Sequence, residues 1–167
     1  KYLSDYVKIY AYCLLDNHFH FMIKINELSS SIKDERPSNP KHKTTHDIVS
    51  HQLRKFFQSY AMAFNKQQNR IGTLFQTPFK RVKVEDERYF RKLTCYINTN
   101  AQKHKLVDDF RQWKWSSYHK TISGKKTKIL RDDLIKNYFE TLDNFIYFHL
   151  EYSKNKIGGN SFFIIED

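Results

Sequence analysis

Cysteine is scarce in this chain, with two residues among 167, Cys13 and Cys95. Both lie inside apolar runs, so we interpret them as buried thiols of a protein from a reducing compartment, and they do not predict a disulfide framework. No apolar run approaches the length of a membrane span, and no segment resembles a signal peptide. These absences argue against a disulfide-rich or membrane-spanning protein, and we expect no membrane partner.

The composition is that of a folding and strongly basic chain. Hydrophobic residues make up 40% and aromatic residues 16%, and the length suits one domain with a real core. The formal net charge is +11 and the pI is near 9.6. This excess favours a polyanionic partner, most simply nucleic acid, although a basic charge that serves only solubility is also compatible with it.

The segment His18-Phe19-His20 carries the pattern around which the chain is organised. It opens a β-rich run over about 18–25, and a similar run over about 7–15 precedes it. Asp16-Asn17 separates the two runs, and such residues tolerate the positive φ of a tight hairpin turn. We therefore predict a β-hairpin with its turn at Asp16-Asn17.

Side chains alternate between the two faces of a strand, which assigns both histidines to one face. Two imidazoles at this spacing can hold one divalent metal ion, and the alternative is a pair of merely exposed strand histidines. The polar face is predicted to carry His18, His20, Met22 and Lys24, and the core face Phe19, Phe21, Ile23 and Ile25.

Hydrophobic residues at helical spacing predict three helices, over about 46–68, 86–103 and 132–152. Thr44 or Thr45 is expected to cap the first of these helices. Residues 73–84 are predicted to form one strand or two short ones, and residues 26–45 a long basic loop. The tail over 157–165 is interpreted as a terminal strand or a docked arm.

Tyr96 and Asn100 are four residues apart on the second predicted helix, so they project from one face. A tyrosine hydroxyl can act as a nucleophile, and an amide oxygen suits hard cations such as Mg²⁺ or Mn²⁺. Together with His18 and His20 they would form a two-histidine, one-asparagine metal site beside a phenol. Taken alone, Tyr96 is more simply a core tyrosine, since it is one of 11.

Basic residues cluster in two further segments, one within 80–83 and one within 125–128. In the first they are interleaved with apolar residues, which suits a phosphate backbone and exposed bases, and a solvated edge strand is equally compatible with it. The residues predicted to contact DNA phosphates are Lys80, Arg81, Lys83, Lys125, Lys126 and Lys128.

Four segments, in this order, resemble those of a known family. Residues 10–21, YAYCLLDNHFHF, resemble the AYCLMPNHVHLL segment of the REP-associated tyrosine transposases, which are single-tyrosine HUH transposases of bacterial insertion sequences. Residues 72–76, GTLFQ, are similar to the family's G-x-LFQ segment, and residues 96–101, YINTNA, to its YIxxNP helix segment. Residues 115–118 match its WSSY segment.

The resemblance implies an α+β fold, with a ferredoxin-like antiparallel sheet, helices packed on one face and a C-terminal helical extension. It implies that residues 1–122 form the HUH catalytic domain and that residues 123–167 form an extension and tail packed on the same domain. It also implies that His18 and His20 are metal ligands, that Asn100 is the third ligand and that Tyr96 is the nucleophile.

The activity implied by the resemblance is cleavage and rejoining of single-stranded DNA, often folded as a hairpin. The reaction would pass through a 5′-phosphotyrosine intermediate and would require Mg²⁺ or Mn²⁺. The resemblance further implies a cytoplasmic, nucleoid-associated bacterial protein. Whether such a protein is a monomer or a homodimer, and whether Tyr96 serves its own chain or a partner, stays open at this point.

The chain departs from the family pattern at Asp16 and Ala101, where the family has prolines, and neither change removes a catalytic group. The family also has a strand and a helix before the segment that opens this chain, so we expect an N-terminal portion before Lys1. One alternative is a catalytically silent or domesticated DNA-binding protein on the same fold. Another is an unrelated metal hydrolase, which would need more carboxylates near the histidines than Asp16.

Two residues near the motifs have simpler expected roles. His104 lies eight residues after Tyr96 and could share its helical face, where it would touch DNA or metal. We expect instead an exposed histidine near the end of the helix. Trp115 is expected to pack within the structure and not to stack on a base.

Overall fold

The structure is a computed structural model, and it describes residues 2–27, 44–76, 80–125 and 127–157. Predictions for the basic loop over 28–43, for Lys126 and for the tail beyond 157 fall outside these ranges. Within them the chain mixes helices with a two-stranded antiparallel sheet, which is compatible with the predicted α+β class. In the same ranges, every helix is too short or too polar to cross a membrane.

The sheet is the predicted hairpin, made of β1 (Val7–Leu14) and β2 (Phe19–Ile25). The Leu15 N–H donates to the His18 carbonyl at 2.9 Å, which closes a turn centred on Asp16-Asn17. The position of the turn is therefore as predicted, but the reason given for it is wrong. Among the described non-glycine residues, positive φ occurs at Asn69, Lys105 and Glu140, and the hairpin turn does not use it.

Non-strand segments cover the other edge of β1. Cys13 forms an antiparallel bridge with Ser116, and Ile9 forms a parallel bridge with Ile129. The Leu14 N–H donates to the carbonyl of Trp115 at 3.0 Å. These bonds satisfy backbone groups that an open sheet edge would leave exposed, and they fix the 115–118 segment against the strand that precedes the histidines.

Internal contacts divide the described chain into two units, and each is described by itself. One unit contains the described residues up to Lys8 and from Lys24 to Lys83. Its helix α1 spans Thr45–Gln67. The Thr44 hydroxyl accepts from the Asp47 N–H at 3.2 Å, and the Asp47 carboxylate accepts from the Thr44 N–H at 3.3 Å. This capping box confirms Thr44 as one of the two predicted caps.

The prediction of strands over 73–84 is wrong for the parts that are described, 73–76 and 80–84, which form bends and irregular chain. A strand is stable only when its backbone groups pair with a neighbour or its apolar side chains are covered. Val82 is 63% exposed, and the Arg81 guanidinium donates to the Ser50 hydroxyl at 2.8 Å. This basic stretch is therefore held by side-chain contacts within its unit.

The second unit contains Ile9–Ile23 and the described residues from Val84 onward. Its longest helix, α2, spans Glu87–Lys103, and the Asp86 carboxylate caps it by accepting from the Tyr89 N–H at 2.7 Å. A 3₁₀ turn and further helices follow it. They are the 3₁₀ turn Phe110–Gln112, α3 (Tyr118–Ile122), α4 (Arg131–Leu134), a π-helical turn Ile135–Phe139 and α5 (Leu142–Ile157).

The last predicted helix, over 132–152, is interrupted in the structure, so the prediction of one continuous helix is wrong. The chain leaves the helical conformation at Glu140, which has φ 67°. The Thr141 hydroxyl then accepts from the Asn144 N–H at 3.1 Å, as an N-cap does for a new helix. The break lets Phe139 and Phe145 both enter the core, where they are 1% and 0% exposed.

Candidate active site

Helix α2 places the predicted nucleophile and the predicted amide ligand one turn apart. Tyr96 is 8% exposed with a buried hydroxyl oxygen, and Asn100 is 0% exposed. Seven residues after Tyr96, the Lys103 ammonium lies over the Tyr96 ring, 4.9 Å from its centroid. His104 is the C-cap, and its N–H donates to the Asn100 carbonyl at 3.0 Å. Residues at spacings of 4, 7 and 8 thus share one helical face.

Aromatic rings connect this face of α2 to the histidine strand. The centroids of the His20 and Tyr96 rings are 5.4 Å apart, and those of His18 and His20 are 5.2 Å apart. The His104 ring lies 5.0 Å from that of His18. The structure therefore brings both predicted imidazoles beside the predicted phenol within a single chain. His104 is exposed as predicted, but its contact with His18 was not predicted.

The two faces of β2 are assigned wrongly by the sequence pattern. Met22, on the histidine face, is 5% exposed, whereas Phe21 and Ile25, on the predicted core face, are 40% and 43% exposed. The reason is that α2 lies against the histidine face, where the Thr94 hydroxyl contacts the Met22 sulfur at 3.7 Å. The histidines therefore point into a helix–strand junction and not into open solvent.

The donor atoms at this junction fit a divalent cation. The His18 Nδ1–H donates to the Asn17 side-chain oxygen at 2.6 Å, which leaves Nε2 with its lone pair. Nε2 of His18 and both polar side-chain atoms of Asn100 are buried, and they have no hydrogen-bond partner among the described residues. Buried polar atoms nearly always have partners, so such atoms are candidates for ligands of an ion or substrate.

The ligand set is unusual in its composition. Across the described ranges there is no group of three or more histidine, cysteine, aspartate or glutamate side chains placed to hold a metal ion. The predicted set has two imidazoles and one amide, so its third ligand is of a type outside that group. An oxygen-preferring ion such as Mg²⁺ or Mn²⁺ would be expected to bind weakly to it and to take further oxygens from a phosphate.

A buried polar network that sequence reasoning missed holds α2 in place. Asn98 Nδ2 donates to His149 Nε2 at 3.0 Å, and His149 Nδ1 donates to the Phe145 carbonyl at 2.7 Å. The Ser117 hydroxyl donates to Asn98 Oδ1 at 2.6 Å and accepts from the Tyr12 N–H at 3.0 Å. The network connects β1, α2, the 115–118 segment and α5.

The charge state of this network follows from its burial. His149 is 0% exposed, and burial lowers its pKa to about 4. The imidazole is therefore neutral at pH 7, and its Nδ1–H tautomer is set by the Phe145 carbonyl. The signal available in the sequence was a pair of polar residues, Ser117 and Asn98, inside the segments that resemble the family. Nothing in the sequence connects them to His149.

The predicted DNA-contacting residues are distributed over both units. Lys125 and Lys128 are exposed and follow α3 in the unit that contains the histidines. Lys80, Arg81 and Lys83 are also exposed but belong to the other unit. Exposure is necessary for a phosphate contact, and the basic residues retain it. Lys126 lies outside the described residues.

Trp115 does not pack as predicted. It is 52% exposed, and the Lys114 ammonium lies 5.1 Å from the centroid of its ring. Both cysteines, in contrast, are buried free thiols as predicted. Burial raises the pKa of Cys13 to about 11 and also raises that of Cys95, so neither is a reactive thiolate at neutral pH.

Comparison of the chain with protein-family models, with curated proteins and with solved structures finds no match.

Proposed function

We propose that this protein cleaves and rejoins single-stranded DNA with Tyr96 as the nucleophile, in the manner of the single-tyrosine HUH transposases that its motifs resemble. The observation that carries the proposal is the contact of the Tyr96 ring with His20, beside His18, in one helix–strand junction. These residues come from segments 76 positions apart in the chain (96 − 20 = 76). Their meeting is not a consequence of local sequence.

The fold proposed for this activity is ferredoxin-like, with the hairpin as the central part of an antiparallel sheet. The hairpin that presents the histidines and the helix that presents Tyr96 are compatible with such a fold. The described residues contain one two-stranded antiparallel sheet.

The proposed chemistry uses the chain's own groups in two balanced steps. The Tyr96 oxygen attacks the scissile phosphorus in line, the bond from phosphorus to the 3′ oxygen breaks, and the phenolic proton leaves with the new 3′-hydroxyl. The 5′ side stays attached to Tyr96 as a phosphotyrosine. A 3′-hydroxyl then attacks that phosphorus and restores the phenol, so rejoining needs no ATP because the phosphoester is conserved in the intermediate.

The positions of the side chains suit this chemistry. Lys103 lies over the Tyr96 ring, where its cation–π contact holds the ring in place. A divalent cation bound by His18, His20 and Asn100 would supply Lewis-acid polarisation of a phosphate oxygen. The exposed side chains of Lys125 and Lys128 are proposed to bind phosphates, with Lys80, Arg81, Lys83 and Lys126 as further proposed contacts.

One observation favours a second candidate function, that of a catalytically silent or domesticated DNA-binding protein on the same fold. The Tyr96 hydroxyl is buried, and a nucleophile must reach a phosphate that arrives from solvent. The net charge of +11 would support binding without catalysis equally well. The two candidates differ in whether a covalent bond to DNA forms.

The experiment is incubation of the full chain with a pool of labelled single-stranded DNA hairpins that carry randomised unpaired flanks, in Mn²⁺ or Mg²⁺. The proposal predicts a covalent protein–DNA adduct that survives denaturing electrophoresis and maps to Tyr96 by peptide mass spectrometry. The adduct should be absent in Tyr96→Phe, in His18→Ala and after addition of EDTA. Binding without an adduct across the pool would instead select the catalytically silent candidate.

The matched control is Tyr147→Phe. Tyr147 lies on α5 in the same unit and is 60% exposed, so it would be the easier target of any non-specific reaction. We expect its variant to form the adduct as the unchanged protein does. Because Tyr96 meets His20 in one chain, we also expect that mixing His18→Ala with Tyr96→Phe restores no adduct. Restoration would mean that a dimer exchanges its nucleophiles.

A further inference from the structure

A small open cavity lies beside the hairpin turn. Its volume is about 230 Å³, and its lining residues are Leu14, Leu15, Asp16, Trp113 and Trp115. The cavity is thus lined by two indoles, two aliphatic side chains and one carboxylate-bearing residue. None of these residues enters the proposed chemistry at Tyr96, yet Asp16 precedes His18 by only two positions.

The walls of this cavity are held in place by hydrogen bonds to β1. The Trp113 indole N–H donates to the Leu14 carbonyl at 2.9 Å, and the Leu14 N–H donates to the Trp115 carbonyl at 3.0 Å. The Trp113 indole and the backbones of Leu14 and Trp115 are therefore fixed before any ligand arrives. Trp115 nevertheless remains 52% exposed, although burial of so large an apolar ring would stabilise the fold.

Charge near the cavity suits a nucleotide. An exposed indole stacks on any nucleobase, and a cation next to the ring neutralises the phosphate that accompanies the base. The Lys114 ammonium lies over one face of the Trp115 ring, 5.1 Å from its centroid, and supplies that cation, so the base would stack on the other face. An amino acid or lipid tail would not need both an aromatic platform and an adjacent ammonium.

The carboxylate restricts which base fits. An ionised carboxylate only accepts hydrogen bonds, and it has two oxygens to do so. The Watson–Crick edge of guanine presents two adjacent N–H donors, from N1 and from the 2-amino group. Adenine and cytosine present one amino group next to an acceptor, and thymine presents one N–H between two carbonyls, so a carboxylate pairs best with guanine.

We propose that this cavity binds an unpaired guanine of a single-stranded DNA, stacked on Trp115 and bonded by Asp16. The inference rests on the proposed function, which identifies the ligand as single-stranded DNA. To that function the cavity adds a determinant of DNA sequence specificity. Because Asp16 and His18 belong to one hairpin, the selected guanine would lie close to the nucleotides that enter the active site. The cavity is thereby a recognition site and not part of the reaction.

The test measures binding and needs no metal or cleavage. Fluorescence anisotropy in EDTA compares labelled oligothymidylates that carry one central guanine or one central hypoxanthine, which lacks the 2-amino group. The unchanged protein should prefer guanine about tenfold, and Asp16→Asn should lose that preference. Trp115→Ala should weaken binding of the guanine probe roughly tenfold or more, whereas Trp115→Phe keeps a stacking ring and should retain most of the affinity.

The control is Tyr147→Ala, which removes an exposed aromatic side chain of the same unit that does not line the cavity. It should bind both probes as the unchanged protein does, and circular dichroism should confirm that every variant folds. If Trp115→Ala does not fold, Trp115→Phe and Asp16→Asn still decide the matter. Equal losses in Trp115→Ala and Tyr147→Ala, or an undiminished guanine preference in Asp16→Asn, would overturn the assignment.

Failure of this inference and failure of the proposed function are distinguishable. A covalent adduct at Tyr96 without any dependence on Asp16 or Trp115 would remove the guanine site and leave the catalytic proposal standing. A guanine preference that depends on Asp16, in a protein that never forms an adduct, would support the guanine site and exclude the catalytic proposal.

Discussion

Asn98 and Asn100 lie two residues apart on α2 and are both 0% exposed, yet their surroundings differ completely. Both polar ends of Asn98 are paired, its Nδ2 with His149 and its Oδ1 with Ser117. The two polar side-chain atoms of Asn100 have no hydrogen-bond partner within the described part of the chain. Two residues correspond to a rotation of about 200°, so the two amides point to nearly opposite sides of the helix.

The comparison separates a structural side of α2 from a chemical side. On the structural side, buried polar groups satisfy one another and fix the helix against its neighbours. On the chemical side, the Tyr96 ring lies against His20, which contacts His18, and Asn100 lies one helical turn after Tyr96. The buried Asn100 amide has no hydrogen-bond partner among the described residues, which is a cost to stability that a ligand would remove. The following changes test whether the two sides differ in this way.

The largest expected effect is the contrast between Asn98→Leu and Asn100→Leu. Asn98→Leu leaves the Ser117 hydroxyl and the His149 Nε2 buried without their partner, and it should lower the free energy of unfolding by about 2–5 kcal/mol. Asn100→Leu removes two buried polar atoms without hydrogen bonds, so its free energy of unfolding should be unchanged or higher. Urea denaturation measures both values.

The same pair should behave in the opposite way in the adduct assay. Asn100→Leu should reduce adduct formation about a hundredfold because a proposed ligand is lost. Asn98→Leu, assayed well below its unfolding temperature, should still form the adduct at a measurable rate. Equal destabilisation by the two substitutions would show that the comparison between the two asparagines is mistaken.

The second effect is a dependence of stability on pH that comes from the structural side. Burial lowers the pKa of His149 to about 4 from an ordinary value of 6.5. Between these values the unfolded chain binds a proton that the folded chain does not, so stability falls as the pH decreases from about 6.5 to about 4. The change should be about 3 kcal/mol, with no further loss from this group at lower pH.

Urea denaturation at pH 7, 5.5 and 4 measures this loss, and His149→Gln, which cannot titrate, should show a flatter dependence. The carboxylates of Asp47 and Asp109 act in a different range. Hydrogen bonds, from Thr44 and Arg111 respectively, hold the pKa of each below its ordinary value of 3.8, so their contributions are lost only under more acidic conditions. An unchanged slope between pH 6.5 and 4 in His149→Gln would exclude the imidazole as the source.

A third, smaller effect is expected at Ser117. Ser117→Ala removes the donor to Asn98 Oδ1 and the acceptor of the Tyr12 N–H, and it should lower the free energy of unfolding by about 1–3 kcal/mol. The matched control is Ser123→Ala at the exposed end of α3, which should change it by less than about 0.5 kcal/mol. Comparable losses in both variants would mean that the network does not stabilise α2.

The smallest expected effect lies on the chemical side. Lys103→Met removes the ammonium above the Tyr96 ring and should slow adduct formation about two- to fivefold, the size of an exposed cation–π contact. Lys92→Met, at another exposed position of α2, should leave the rate unchanged. Single-turnover kinetics under saturating DNA gives both rates. A slower reaction in the two variants alike would indicate a general effect of charge on DNA binding.

Much of the local structure could be predicted from single segments. The hairpin turn at Asp16-Asn17 follows from the break between two β-rich runs, the cap at Thr44 from capping preference, and the helix that carries Tyr96 and Asn100 from helical spacing. The errors fall where the outcome depends on neighbours. The 73–84 segment forms no strand in its described parts, and the last helix breaks at Glu140 so that Phe139 and Phe145 can both be buried.

The sequence by itself determined the hairpin, the helix over Glu87–Lys103 and the residue types of the candidate site, namely two histidines at the start of β2 and a tyrosine and an asparagine one turn apart on that helix. Only the tertiary structure decided that α2 covers the histidine face of β2, that Met22 and not Phe21 is buried there, and that His149 pairs with Asn98. The physical reason is the separation along the chain over which each effect acts. Periodicity and capping act within a few residues, whereas the burial of a strand face depends on which helix packs against it.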